Sequence, residues 1–327
     1  MNRLVLIDGN AILHRAYHAL PPLTAPDGSL VNAVYGFTAM LFKIVNDLKP
    51  SYIAVCFDRP KPTFRKKLFK EYQAKRPKMD EELVGQIEKV HEVIRSFGIP
   101  IFEKDGFEAD DVIGTLVAKS KVKSQKAKGS IDQVIIVTGD KDILQLVDDR
   151  TYAYMPTKGL SEAKLYMEKD VKERLGVDPK HVADYKGFAG DPSDNYPGVD
   201  GIGPKTAVSL IESFGSVEAL YEALKNHDAR VTKLSHGIVE KLEKGEESAR
   251  LSKDLATIRT DVPLDEDLKN AEIKTLDTPD ARKILGDLHF HSLLKRLMGG
   301  EPASVKSMKK ATAGKEEKPA GEQQQLF

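Results

Sequence analysis

The chain has one cysteine in 327 residues, no run of about 18 apolar residues that would cross a membrane, and no surplus of charge of either sign. The lone Cys56 lies inside the apolar run Tyr52-Ile53-Ala54-Val55-Cys56-Phe57 and has no partner for an internal disulfide. It reads as a small core residue in a reducing compartment. The N-terminus lacks the basic and long apolar regions of a secretion signal, because Asp8 interrupts it early. A disulfide scaffold and a membrane-spanning protein are thereby excluded, and a cytoplasmic location is expected. Fifty basic and fifty acidic side chains cancel, so net charge says nothing about a nucleic-acid partner, and the distribution must be read instead.

What is present is a soluble composition, 40% hydrophobic and 31% charged, without internal repeats. Three short runs, Leu4-Val5-Leu6-Ile7, Tyr52 to Phe57 and Val134-Ile135-Ile136-Val137, are almost continuously apolar and separated by helix-length sequence. That pattern predicts an α/β fold with a mostly parallel, twisted sheet covered by helices on both faces. Helical spacing is expected from Val31 to Leu48, stopping at Pro50, and from Glu81 to Phe97, ending at Gly98 and Pro100. The reading divides the chain into an α/β domain over 1–175, a helical domain over 176–298, and a tail over 299–327 too poor in large apolar residues to order itself.

Each of these three runs leads into an acid: Asp8, Asp58, and Asp140 two residues past Thr138. Parallel strands deliver such residues to one edge of a sheet, where ligands of open α/β folds bind. Further acids cluster nearby in sequence: Glu108, Asp110 and Asp111, then Asp142, then Asp191 and Asp194. Carboxylates gathered this closely repel one another unless cations neutralise them. With no His or Cys in the set, the hard oxygen donors select Mg²⁺ or Mn²⁺ over zinc.

From Arg59 to Lys78 nine basic residues meet a single acid, Glu71, with Phe64, Phe69 and Tyr72 interleaved. Basic groups neutralise phosphates while aromatic faces stack on unpaired bases. The segment Pro197 to Ala207 mimics a phosphate loop, but Pro204 intervenes before Lys205 and no strand leads in. Nor is it a dinucleotide fingerprint, since Thr206 stands where the third glycine belongs. It reads as a hairpin between two helices, whose glycines Gly198, Gly201 and Gly203 let backbone N–H groups approach a DNA phosphate, with Lys205 and Thr206 beside them.

These pieces, in this order, resemble the 5′-nuclease domain of bacterial DNA polymerase I and its relatives, the flap endonucleases, over about residues 1 to 298. The motifs are Leu6-Ile7-Asp8-Gly9-Asn10, Phe57-Asp58, Phe107-Glu108-Ala109-Asp110-Asp111, Gly139-Asp140-Lys141-Asp142, and Gly190-Asp191-Pro192-Ser193-Asp194-Asn195 followed by Pro197-Gly198-Val199 and Gly201-Ile202-Gly203. The resemblance implies a PIN-like nuclease core, a metal-dependent 5′-3′ exonuclease and flap endonuclease working in replication and repair, and two divalent ions. It assigns Asp8, Asp58, Glu108, Asp110 and Asp111 mainly to one ion and Asp140, Asp142, Asp191 and Asp194 to the other. It also implies a helical arch at about 59–98, in which Arg65, Tyr72 and Arg76 match the pattern. Gln73 departs from it, because many relatives carry there a lysine that touches the scissile phosphate; Lys75 and Lys70 are the candidates to substitute. The glycine hairpin is similar to the family's helix-hairpin-helix, which grips duplex and often holds K⁺. The terminal Gln323-Gln324-Gln325-Leu326-Phe327 resembles the peptide by which bacterial replication proteins dock on the sliding clamp, with Gln323, Leu326 and Phe327 making the contacts. The expected partners are therefore DNA with 5′ flaps, nicks or RNA primers, and the clamp, for a monomeric, free-standing enzyme. The rival is a non-catalytic scaffold that binds branched DNA, and the full set of acids speaks against it. An aspartate phosphatase would need a D-x-D-x-[TV] element that Asp8-Gly9-Asn10-Ala11 does not supply.

Overall fold

Apolar on both faces, the first strand has the character of a central parallel strand: β1 (Arg3–Asp8) turns Leu4 and Leu6 into one core and Val5 and Ile7 into another, all four fully buried. The computed structural model describes residues 1–122, 130–158, 162–264 and 268–299. The terminal peptide with Gln323, Leu326 and Phe327 lies outside the described residues.

After β1 the chain runs through α1 (Gly9–Ala19), α2 (Asn32–Leu48), β2 (Tyr52–Cys56), α3 (Phe64–Leu68), α4 (Glu81–Ser96), β3 (Ile101–Phe102), α5 (Ala109–Val122), β4 (Gln133–Val137), β5 (Thr151–Lys158) and β6 (Glu162–Tyr166). The helical part comprises α6 (Glu168–Leu175), α7 (Val182–Ala189), α8 (Pro204–Phe214), α9 (Val217–Lys225), α10 (His236–Lys244), α11 (Glu246–Ala256), α12 (Pro279–Asp287) and α13 (His291–Leu297). The six strands order as β3-β2-β1-β4-β5-β6. All neighbours are parallel except β6, an antiparallel edge. The three expected strands are the middle ones, and the sheet is mostly parallel with helices on both faces. Sequence periodicity did not reveal β3, β5 and β6. The first is two residues long, and the outer two alternate or lie half exposed.

One face of the sheet packs against α5 and continues without a break into α7, α8 and α9 through Phe188, Leu210 and Leu220. The other packs against α1, α2 and α4, and there α12 and α13 return. Ala281, Leu285, Phe290 and Leu293 are buried among Phe37, Val90 and Ile94, while Tyr35 meets Phe290 edge-on at 5.1 Å. The helical part therefore does not run on as one unit to residue 298, as expected from its sequence. Its last two helices belong to the far face of the sheet, because their apolar stripe is what seals that face.

Helix α5 approaches the segment after α11 so closely that a Cβ at Gly114 would stand 2.7 Å from the Arg259 carbonyl oxygen. Gly85, exposed on α4, has nothing within 4 Å. Alanine favours a helix interior over glycine by about 1 kcal/mol, but overpacking against backbone costs roughly 1–3 kcal/mol. Gly85→Ala is therefore expected to raise the melting temperature and Gly114→Ala to lower it. Equal effects of the two in thermal unfolding would refute the close approach.

Candidate active site

Asp8 ends β1 and caps α1, its side chain accepting from the Ala11 N–H at 3.0 Å. Its other oxygen accepts from the Thr138 hydroxyl at the end of β4, at 2.6 Å, and that hydroxyl accepts from the Asp140 N–H at 2.9 Å. One threonine thus holds the acids of two adjacent strands in register. Asp58, just past β2, accepts from the Ala109 N–H at the start of α5 at 2.7 Å, and its own N–H donates to Asn10 at 2.9 Å. These contacts gather Asp8, Asp58, Asp110 and Asp140 at the carboxyl edge of the sheet, lining a cleft of about 550 Å³ together with Glu108, Asp142 and Asp194.

The nine acids differ in what compensates them. Both oxygens of Asp111 are taken: the Arg65 guanidinium donates to them at 2.7 and 2.8 Å, and the N–H groups of Glu108 and Arg259 at 3.0 and 2.9 Å. Glu108 stands 3.3 Å from the same guanidinium and accepts from Thr63 and Tyr72. Asp194 pairs with Arg76 at 2.6 Å and accepts from Tyr72 at 3.2 Å. Lys186 of α7 bridges Asp142 and Asp191, the latter at 2.6 Å. Among the described residues Asp8, Asp58, Asp110 and Asp140 have no such ion pair.

The cleft resists ionisation accordingly. Burial, with help from the charges on Asp58 and Asp140, pushes Asp8 up to about 7. Burial and the nearby Asp58 and Asp111 lift Glu108 to about 7, although Arg65 works against them. Burial raises Asp142 to about 6 against the pull of Lys186. Asp110 is driven well above the ordinary range by burial and then by Asp140 and Asp8. Asp58 keeps an exposed surface, yet desolvation by the surrounding cleft walls raises it as well, with Asp111 adding to the rise and the Ala109 N–H and Arg76 opposing it. Among the described residues no three acids, histidines or cysteines close to metal-ligand geometry. All of the nine acids except Asp111 and Asp191 line the cleft rather than converging on a point, and their chemistry is that of a hard-cation site: oxygen donors only, crowded, and partly without counter-charge.

The basic segment divides. Residues 64–76 lie across the cleft, whereas α4 is a core helix, so the bridging part is shorter than 59–98. Arg65 is only 3% exposed and also donates to the carbonyls of Leu255 at 2.7 Å and Thr257 at 3.0 Å. It faces protein on all sides. Tyr72 is likewise 3% exposed and stacks on Tyr196, which leaves no ring face for a base. Gln73 takes a left-handed backbone (φ 55°) as its N–H donates to the Asp194 carbonyl. Arg76 is exposed and lines the cleft; Lys75 is exposed and does not.

In the hairpin, Gly198 sits with φ 66° against the backbone of Gly190 and is held by Ser252 and Ser248. Gly201 and Gly203 are exposed, and Gly203 caps α8 without a side-chain bond, beside exposed Lys205 and half-exposed Thr206. Sequence inspection missed Asn10, Thr138, His14 and Lys186. The signals available for Asn10 and Thr138 were their places next to the acids. His14 lines the cleft from α1, and Lys186 reads from sequence as an ordinary solvated lysine.

Comparison with known proteins adds the following. Residues 3–176 match the family described as the 5′-3′ exonuclease N-terminal resolvase-like domain, and residues 177–279 the 5′-3′ exonuclease C-terminal SAM fold. The chain is 40% identical over 295 residues to DNA polymerase I of Bacillus subtilis (strain 168), covering 90% of this chain and 32% of that protein. It is 41% identical over 297 residues to DNA polymerase I of Caldicellulosiruptor bescii, covering 90% and 33%. The chain thus spans about a third of the length of these relatives. Among solved structures, T5 5′-exonuclease with bound zinc aligns with a TM-score of 0.64 at 19% identity, over 91% of this chain and 99% of that one. The catalytic core of Rad2 in complex with DNA substrate aligns with a TM-score of 0.57 at 15% identity, over 91% and 92%. At those identities the likeness is one of fold.

Raised carboxyls have a signed consequence for stability. Below the ordinary carboxylate range, folded and unfolded chains are both protonated at Asp8, Glu108 and Asp142 and nothing is lost. As pH climbs from about 4 towards 7, the unfolded chain releases these protons first, so the folded state loses stability, and the loss is complete above the raised values. In EDTA the melting temperature is expected to fall between pH 5 and pH 8, with Mg²⁺ restoring more of it at pH 8. Asp8→Asn should flatten the slope. A metal-free melting temperature that holds or rises over this range would contradict the charge crowding.

Proposed function

Because the chain belongs to the 5′-3′ exonuclease family, we propose that it hydrolyses DNA from 5′ ends and at 5′ flaps, leaving 5′ phosphates, with two divalent cations held in the acidic cleft. The observation that carries this reading is the gathering of Asp8, Asp58, Asp110 and Asp140 along one cleft, without ion pairs among the described residues, beneath the basic segment 64–76. In the proposed arrangement Asp8, Asp58, Glu108 and Asp110 serve one ion and Asp142, Asp191 and Asp194 a second, with Asp140 between them. Asp111 leaves the ligand set, because four donors already fill its oxygens. Bound Mg²⁺ or Mn²⁺ supplies Lewis-acid polarisation of the phosphate and a lowered pKa for the attacking water.

The chain's own groups do the rest. Thr138 and the Ala11 N–H keep Asp8 oriented so that its free lone pairs face the cleft. Arg76, exposed beside Asp194, and Lys66 line the cleft with positive charge where a phosphate gathers negative charge. Arg65 supports this wall from behind by anchoring the segment to Asp111 and to the carbonyls after α11, and Tyr72 does so through Glu108 and Asp194. Away from the cleft, the exposed turn at Gly201 and Gly203 and the uncapped start of α8 suit a duplex phosphate, and K⁺ is the monovalent ion proposed there. RNA primers on nicked duplex, a monomeric state, and clamp docking through Gln323, Leu326 and Phe327 complete the proposal on sequence grounds.

Asp110→Asn and Asp140→Asn are each expected to lower flap cleavage in Mg²⁺ by about a hundredfold or more, the scale of losing one electrostatic stabiliser, while flap binding in Ca²⁺ stays close to that of the unsubstituted chain. If the unsubstituted chain binds a labelled 5′ flap but leaves it intact in both Mg²⁺ and Mn²⁺, it is a branched-DNA scaffold. Lys205→Ala should weaken duplex binding for all sequences alike and reduce the slope of log K against log salt by about one. An unchanged slope would remove the hairpin from the DNA interface.

A further inference from the structure

Lys186 has no place in the family resemblance as read from sequence, yet it is the most enclosed ammonium at the acidic cleft. It projects from α7, only 9% exposed, and donates to both Asp142 and Asp191. The same group of acids contains Asp194, already paired with Arg76. Three carboxylates there share two cations. Of the acids proposed for the first ion only Glu108 faces a cation, Arg65 at 3.3 Å; among the described residues Asp8, Asp58, Asp110 and the intervening Asp140 have no ion pair, and no hydrogen-bond donor reaches the Asp110 carboxylate. A fixed ammonium within hydrogen-bond distance of two carboxylates takes up their lone pairs and repels an incoming divalent ion. The helix that carries it is held close to its neighbours: a Cβ at Gly187 would lie 3.0 Å from Val217 and 3.1 Å from the Ala249 carbonyl oxygen.

Building on the metal-dependent nuclease reading, we infer that Lys186 is a built-in cation of the second acid group, so that without DNA the chain binds one divalent ion tightly, at Asp8, Asp58, Glu108 and Asp110 beside Asp140, and a second only weakly. Lys186 is then a positioning residue that sets the order of assembly. The open group fills first, and the group held by Lys186 takes its ion once a DNA phosphate adds negative charge to the same space.

The test is Mn²⁺ titration of the full chain without DNA, followed by calorimetry and by the paramagnetic signal of free Mn²⁺, which reads binding rather than cleavage. The unsubstituted chain is expected to show one tight site and a second at least tenfold weaker. Lys186→Met, which keeps most of the apolar stem but removes the charge, should tighten the second site at least tenfold, and Lys186→Arg should leave it weak. Two equally tight sites in the unsubstituted chain overturn the inference, as does a folded Lys186→Met protein whose second site is unchanged. Should Lys186→Met fail to fold, Asp191→Asn and Asp110→Asn decide the matter. The tight site must survive the first within about twofold and vanish in the second, and the opposite pattern overturns the inference. Failure of the nuclease reading would look different: no saturable Mn²⁺ site at all, and no flap cleavage.

Discussion

Mutual repulsion among carboxylates at one edge of a parallel sheet is the constraint to which the rest of the molecule answers. A β-strand end and the helix that follows it are a natural home for one aspartate, since the helix N-terminus welcomes negative charge. Asp8 and Asp58 use that welcome directly, through the N–H groups of Ala11 and Ala109. Helix caps cannot absorb nine acids, however, and the chain answers the remainder with two buried cations, Arg65 and Lys186, and the exposed Arg76. Arg65 ties the stretch 64–76 to Asp111 of α5, Arg76 ties it to Asp194 in the loop between α7 and α8, and Lys186 ties α7 to Asp142 beyond β4. Arg65 alone joins the cleft-spanning stretch, α5 and the turn after α11. Removing one partner of such a buried pair leaves the other charge stranded, which is more damaging than never having built the pair.

What sequence disclosed and what it withheld follow the same division. Short-range rules found β1, β2 and β4, because a strand buried on both faces must be apolar throughout, and they found α2 and α4 with ends within a residue or two. The same rules passed over β5 and β6. An edge hairpin with Tyr152 and Tyr154 half exposed lacks the continuous run that betrays a central strand. The return of α12 and α13 to the α2 face was equally hidden, since an amphipathic helix announces a buried stripe but not which partner buries it. At the site, the acids were legible one by one because carboxylates in Gly-Asp and Asp-x-x-Asp contexts stand out. Their sorting into compensated and uncompensated groups was not. It depends on Arg65 reaching Asp111, 46 positions away, and on Lys186 reaching Asp142, 44 positions away.

The basic stretch shows how a charge count misleads when taken without burial. Nine cations between residues 59 and 78 suggest an arch that offers charge and aromatic faces to a strand. Two of its most suggestive members turn inward. Arg65 is spent on protein oxygens, and Tyr72 is sandwiched against Tyr196 with its hydroxyl on Glu108 and Asp194. The other eight cations are exposed: Arg59 and Lys61 pair with Asp105, Lys66 and Arg76 line the cleft, and Lys67, Lys70, Lys75 and Lys78 face solvent. Attraction of a polyanion falls to these, while the inward pair keeps the stretch from swinging free. The left-handed turn at Gln73 is where the chain reverses, pinned by its N–H on the Asp194 carbonyl.

That pin also bears on how grip and chemistry are linked. Asp191 and Asp194 stand in the same loop between α7 and α8 as Gly198, Gly201 and Gly203. The loop is short of slack: Asp191 and Tyr196 exchange backbone hydrogen bonds, and Gly198 lies against Gly190 so closely that a Cβ there would sit 2.2 Å from its nitrogen. Ser248 and Ser252 of α11 bolt the middle of the loop to the helical part. A duplex phosphate held at the Gly201–Gly203 turn would therefore stand at a distance from Asp191 and Asp194 set by packed backbone rather than by flexible side chains. On the proposed function, that rigidity makes the spacing between the gripped phosphate and the cut phosphate a property of one loop, and explains why glycines with positive φ are concentrated there.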